Sequence, residues 1–319
     1  MYLGNTDDPI SSPDHTAHKD TRTRERLLRT VHDAFPVVRP KISTAAVRVE
    51  QGGGDHRLLI LDEQLAFRFP RDGQHDLDLE LLVLDQLRQA TTISVPGYEY
   101  VAPKRDFGGY RLIAGVPVTL TRLRHIAPAS RLAIVDGIVA LLKALHGIDP
   151  ASIRLPVEWP RLWSAAQFAK RLVQDRLSLI VGRWPSLGKP VLRFAECYGK
   201  QRAPREVVLH GDLVDEHVLI DERAGQLAGV IDFGDVALGD PAQDFIGFWA
   251  YGRRAAEGAI RHYDSNGADP GLPERSRNHF LRYRIDQLYE AVRDGAAGTV
   301  LDQQAIAVER LLRTRSNTR

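Results

Sequence analysis

Asp212, His217 and Asp232 are the residues whose types and spacing suit chemistry. They lie in the run VVLHGDLVDEHVLIDERAGQLAGVIDFGDVALGDPAQDF, which ends at Phe245. Two strand-like runs, 217–220 and 227–231, flank a turn at Arg223-Ala224-Gly225-Gln226. If that turn closes an antiparallel hairpin, paired positions sum to about 449 and His217 falls opposite Asp232. Asp212 sits five residues before His217, on a loop after the strand 207–209. A carboxylate on a loop and two ligand-type side chains facing each other suit phosphoryl transfer. That reaction needs one group to accept or orient a hydroxyl and others to hold a cation on the phosphates. A lone Asp would read as a turn cap and a lone His as a satisfied half-buried ring. Three such groups converging on one hairpin end, with Phe233-Gly234 following Asp232, do not read that way.

The elements that must position these groups change character along the chain. Residues 1–19 are polar, with Pro9 and Pro13, and read as a disordered arm. A helix is expected over 20–34, with Leu27, Leu28 and Val31 on one side. Three short strands follow, at 45–50, 58–61 and 65–69, separated by Gly52-Gly53-Gly54 and by Asp62-Glu63-Gln64. A helix is expected over 74–89, then strands near 98–101 and 110–113. After Gly115-Val116-Pro117 the pattern turns helical, with a long periodic segment over 130–146. The domain reading is therefore an arm (1–19), a β-rich unit (20–113) and a helical unit (114–319). The fold class is α+β, two-lobed.

The β-rich third carries its own polar signal. Arg68 alternates with apolar neighbours in Ala66-Phe67-Arg68-Phe69. Glu80 lies among Leu77, Val83, Leu84 and Leu87, at helical offsets of three, four and seven. A carboxylate inside an apolar stripe is costly unless it is paired, and Arg68 is the expected partner. Gly52 to Gly54 occupy a turn between the first two strands. An ordinary surface ion pair and a plain glycine turn are the competing readings.

Gross composition excludes several classes. The 319 residues are 43% hydrophobic and 26% charged, with a net charge of +2 and a single cysteine, Cys197. No apolar run reaches the length of a membrane span, and one cysteine builds neither a disulfide framework nor a cysteine metal site. The charges are interspersed, so nucleic acid is not the expected partner. The opening residues lack the basic start and apolar core of a secretory signal. A cytoplasmic monomer, without membrane contact, is expected.

The run His210-Gly211-Asp212…His217, followed by Ile231-Asp232-Phe233-Gly234-Asp235 and Gly239-Asp240-Pro241…Asp244-Phe245, resembles the aminoglycoside phosphotransferases, relatives of the protein kinases. The resemblance is strongest to their 2″-aminoglycoside and macrolide branches and spans about residues 45–250. It implies a protein-kinase-like fold, Asp212 as catalytic base, and Mg²⁺ held by Asp232 and His217. His217 stands where the commoner pattern has Asn, and Arg68 where kinases usually carry Lys. By the same resemblance Gly52, Gly53, Gly54, Arg68 and Glu80 position the phosphates of ATP or GTP, and Leu112, Ile113 and Ala114 form the hinge beside the base. His146 reads as structural, and Asp240 and Asp244 as loop braces. An aminoglycoside acceptor is a polycation and needs carboxylates. Asp215 and Glu216 on the catalytic loop and Asp235 just after the metal loop are the candidates. A more apolar macrolide would instead use Trp249 and Tyr251. The remaining alternatives are a kinase of a small hydroxylated metabolite and a nucleotide-binding pseudokinase.

Overall fold

The computed structural model describes residues 13–38, 47–50, 56–71, 77–154, 158–296 and 298–314. The chain divides into two compact units, Met1–Asp85 with Val95–Ile113, and Gln86–Ser94 with Ala114–Arg319. Residues 86–94, which the sequence places in the β-rich part, belong to the second unit. There the Val230 amide donates to the Ser94 carbonyl, and Gln86 bonds Ser152.

The first unit begins with α1 (Pro13–Ala34), which starts seven residues before the expected Asp20. The expected arm therefore ends in helix, and residues 1–12 lie outside the described residues. A five-stranded antiparallel sheet follows: β1 (Val47–Glu50), β2 (His56–Leu61), β3 (Leu65–Pro70), then, after α2 (Leu77–Ala90), β4 (Tyr98–Val101) and β5 (Gly108–Arg111). The order is β1-β2-β3-β5-β4. Leu27 and Val31 of α1 pack with Leu59, Phe67 and Phe107 of the sheet side. Phe69 stacks on Phe107 with centroids 4.6 Å apart. Between β2 and β3, Asp62 and Glu63 both take left-handed backbone, φ 51° and 53°. That conformation suits the twist of a tight hairpin and normally goes to Gly or Asn. Arg48 of β1 holds Glu63 by two hydrogen bonds, at 2.6 and 2.9 Å. Gly52, Gly53 and Gly54 lie outside the described residues.

After residues 86–94 the second unit continues with β6 (Val116–Pro117), where the sequence marked only the change to a helical pattern. It pairs with β8 (Val218–Asp221), which pairs with β9 (Gln226–Val230). Helices α3 (Leu120–His125) and α4 (Pro128–His146) precede α5 (Ala165–Arg171), α6 (Leu177–Arg183) and α7 (Gly188–Tyr198). A second small sheet joins β7 (Val207–Leu209) to β10 (Ala237–Gly239). After it come α8 (Ile246–Trp249), α9 (Arg253–Tyr263), α10 (Leu272–Arg293) and α11 (Thr299–Thr314). Ile180, Val191, Phe194 and Tyr198 form one core with Leu281, Ile285 and Leu288 of α10 and Val308 of α11. No helix among the described residues is long and apolar enough to cross a membrane.

Candidate active site

The hairpin that was expected to carry the site forms, with its register one residue lower. Val218 faces Val230, and the pairing slips again between Leu219 and Ile220, so Ala228 is passed over. The amide of Ile231 donates to the His217 carbonyl at 2.9 Å, and Asp232 lies one step past the ladder. Left-handed backbone at Asp232, φ 67°, turns the chain there. A non-glycine residue in that region is strained, and such strain gathers at functional sites. The turn brings Oδ2 of Asp232 to 3.4 Å from Nε2 of His217 in spite of the offset register.

His217 is held from its other nitrogen. Nδ1–H donates to the Asp212 carbonyl at 2.7 Å and lies 3.6 Å from the Asp212 carboxylate. A carbonyl only accepts, so that bond fixes a proton on Nδ1 and leaves Nε2 directed at Asp232. An imidazole nitrogen and a carboxylate facing each other across 3.4 Å are a pair that a shared cation would satisfy. Among the described residues no three His, Cys, Asp or Glu side chains gather into a metal cage. Mg²⁺ does not need one, since it is usually held by one or two carboxylates with phosphate and water completing its shell. Asp232 and His217 fit that role, with Asp232 the harder donor.

Asp212 itself is only partly covered, its side chain 39% exposed. Its carboxyl is pushed above the usual carboxylate range, first by burial and then by the charges of Asp232, Glu216 and Asp244, with His217 opposing. A raised carboxyl is the better proton acceptor near neutral pH. Asp215 is half-buried and Glu216 exposed beside it. Two phenols border this acidic loop. Tyr283 of α10 is pushed up to about 12, by burial and then by Asp212, Glu216 and Asp215. Tyr251 is raised by burial and by Asp215, and its hydroxyl lies 3.4 Å from the Val118 carbonyl. Trp249 donates to Ser276 Oγ at 2.8 Å and stacks on Phe280. Its polar end is thus engaged inside the helical packing. Asp235 is exposed, and its backbone carbonyl lies where a side chain on Gly211 would have to go. With φ 88° as well, position 211 admits only glycine.

The shape of the loop comes from groups behind it. Asp244, fully buried, accepts the amides of His210 at 2.8 Å and Gly211 at 3.1 Å, and bonds His146 Nε2 at 3.0 Å. Burial alone would raise its pKa, but the bond to His146 and the His146 and His210 charges outweigh burial and hold it below the usual range. His210 is kept below the ordinary histidine range by burial. It accepts the Asp212 amide on Nδ1 and donates from Nε2 to the Ile231 carbonyl, so one neutral ring ties the Asp212 loop to the Asp232 turn. Asp240 accepts from Arg275 and His279, which with the Ala242 amide bring it down to about 2 against the opposing effect of burial.

In the first unit the expected pair is present. Arg68 meets Glu80 at 2.7 Å, with the two side chains 6% and 2% exposed. Tyr98 donates to the second Glu80 oxygen at 3.0 Å, and His56 Nδ1 lies 3.0 Å from the Arg68 guanidinium. The Tyr98 hydroxyl is pushed well up by burial and by Glu80. In the segment expected to be the hinge, Leu112 donates its amide to the Gln64 carbonyl at 2.8 Å, so its N–H already serves the hairpin; Ile113 is half-buried and Ala114 exposed. Tyr283 and the bracing geometry of His210 were not expected from sequence. Tyr283 lies 71 positions from Asp212 on a helix with no local signal.

Known proteins supply the context for this geometry. Residues 43–293 match APH, described as the phosphotransferase enzyme family. The uncharacterized protein YcbJ of Bacillus subtilis is 33% identical over 205 residues, 59% of this chain and 63% of its own length. Viomycin phosphotransferase of Streptomyces vinaceus is 33% identical over 113 residues, 30% of this chain and 38% of its own. The chain thus spans less than two thirds of either curated relative. The solved GDP and kanamycin complex of an APH(2″) enzyme superposes with a TM-score of 0.71 at 20% identity, covering 92% of this chain and 99% of that one. A macrolide 2′-phosphotransferase from Brachybacterium faecium gives 0.56 at 19% identity, over 90% and 98%. These two likenesses establish a shared, kinase-like fold. With residues 43–293 matched and the Asp212–His217–Asp232 cluster inside them, the chain belongs to the phosphotransferase enzyme family.

Proposed function

We propose that the chain is a magnesium-dependent kinase that moves the γ-phosphate of ATP or GTP onto a hydroxyl of a cationic, aminoglycoside-type antibiotic. The observation that carries this is the partly exposed Asp212 carboxylate, raised in pKa and set among Asp215, Glu216 and Asp232. A carboxylate so placed takes a proton readily, and its acidic surroundings attract an amine-bearing acceptor. Asp212 accepts the acceptor's hydroxyl proton as the new O–P bond forms. The bond between the β–γ bridging oxygen and the γ-phosphorus breaks, and the nucleoside diphosphate leaves with that electron pair. Asp232 and His217 would hold magnesium, which would supply charge neutralisation at the phosphates. Glu80 holds Arg68 in place, and Arg68 orients the nucleotide phosphates. Tyr283 and Tyr251 border the acceptor, with Asp215, Glu216 and Asp235 supplying negative charge.

The names of the relatives point the same way, one acting on viomycin and another holding GDP and kanamycin. The test is turnover of ATP and of GTP, with Mg²⁺, against kanamycin, viomycin, a macrolide and no acceptor. Nucleoside diphosphate release is followed together with the acceptor's mass. A phosphorylated cationic antibiotic is the expected product. Phosphorylation of the macrolide alone would move the acceptor assignment to an apolar class, and nucleotide binding without turnover would leave a pseudokinase.

A further inference from the structure

A concave site lies within the helical unit, and Asp212, His217 and Asp232 are not in its lining. It is a cavity of about 550 Å³ whose lining includes Lys143, His146, Arg205, Tyr263, Asp264 and Asp269. That volume is in the range of small-molecule sites. Its carboxylates are already engaged by other partners. Both Asp269 oxygens are taken by Arg275, at 2.8 and 2.6 Å. Asp264 accepts the amides of Ala268 and Asp269, each at 2.9 Å. Lys143 donates once, to the His262 carbonyl at 3.0 Å, and Arg205 once, to the Tyr263 hydroxyl at 3.3 Å. Among the described residues neither cation is ion-paired. The two together keep several N–H donors for an oxyanion, and a guanidinium beside an ammonium is the usual means of holding phosphate or carboxylate.

The cavity wall is also the start of a hydrogen-bonded chain. Tyr263 reaches His146 Nδ1 at 2.9 Å, and His146 Nε2 meets Asp244 at 3.0 Å. Asp244 in turn holds the His210 and Gly211 amides, the latter one residue before Asp212. The Asp244 carboxylate only accepts, so Nε2–H donates to it, and the Tyr263 oxygen between His146 Nδ1 and Arg205 accepts from Arg205. An oxyanion that draws Arg205 away therefore acts on the first link of a chain ending at the catalytic loop.

We propose that this cavity binds a small phosphate- or carboxylate-bearing molecule through Lys143 and Arg205, and that its occupancy is felt at His210 and Gly211. The inference does not depend on which acceptor the active site takes. The test uses the full chain, free of nucleotide and metal, with inorganic phosphate and succinate as probes of the two oxyanion chemistries. Calorimetry measures binding, and hydrogen exchange reads the His210 and Gly211 amides. Saturable binding of either probe is expected, weakened about tenfold or more in the Lys143→Ala/Arg205→Ala variant, as loss of about 1.4 kcal/mol would give. Both side chains are exposed, so that variant keeps its fold, which a melting curve checks. Tyr263→Phe should keep the binding and lose the exchange response. Absence of saturable binding, or binding unchanged in the double variant, overturns the site. An exchange response that survives in Tyr263→Phe overturns the relay.

Discussion

The two polar clusters of this chain are built on opposite terms. In the β-rich unit, Arg68 and Glu80 are sealed from water and every Glu80 oxygen has a donor. In the helical unit, Asp212 is partly exposed, its nearest carboxylates repel it, and its pKa is raised. The first cluster is satisfied, so its geometry does not wait for a ligand. The second is left in tension, and a proton, a cation or a substrate relieves it. Saturation marks a group that positions; residual repulsion marks a group that reacts.

The sharpest way to break that comparison is Asp212→Asn. Turnover with the best acceptor should fall by about 10²–10⁴-fold, the usual worth of general-base catalysis, while nucleotide affinity changes little. Steady-state rates and nucleotide titration check both halves, and near-normal turnover would remove Asp212 from the chemistry. On the other side, Glu80→Ala leaves a buried guanidinium without its main partner. It should cost about 3–5 kcal/mol in urea unfolding. Arg68→Met/Glu80→Leu should recover most of that stability without recovering nucleotide binding, which separates packing from positioning.

Smaller effects refine the acidic region. Asp235→Asn should raise the KM of a cationic acceptor by about tenfold, about 1.4 kcal/mol, with the nucleotide KM unchanged. The acceptor effect should fade with added salt. For an apolar acceptor the same substitution should do nothing, and Tyr251→Ala should do more. Smallest of all, Asp212→Asn should raise the melting temperature at pH 7 slightly, because water screens the charge of this part-exposed group. The sign follows from linkage: the folded-state pKa of Asp212 lies above its unfolded value, so its ionisation weakens the fold as pH rises. The gain in the variant should therefore shrink as pH falls through the Asp212 titration. Asp240 runs the other way. It is brought down to about 2, so the stability it contributes is present above the ordinary aspartate pKa and is lost as pH falls toward that value.

Much of this was legible in the residues. Glu80 in an apolar stripe announced a buried partner, and Arg68 on the neighbouring strand was the available cation. The spacing of Asp212, His217 and Asp232 located the cluster, although the ladder was misread by one. The error came from the turn, which lies at 222–225 rather than 223–226; the irregularity at Ala228 gives one residue back, and the left-handed turn at Asp232 compensates for the rest. Strand β10 and the pairing of β6 with β8 are short and set by distant partners, so periodicity had nothing to work on. Tyr283 was invisible for the same reason: a tyrosine on a long amphipathic helix carries no mark of the carboxylates it will face.

The anchoring of the Asp212 loop by Asp244 has a consequence for the order in which the protein can be made. The amides of His210 and Gly211 find their acceptor on a residue more than thirty positions later in the chain. During synthesis, at about 5–20 residues per second, the loop leaves the ribosome before the carboxylate that shapes it. A nascent chain ending short of Asp244 carries all three of Asp212, His217 and Asp232 yet lacks the brace that gives them a common geometry. The geometry of these three side chains is thus assembled from behind and late.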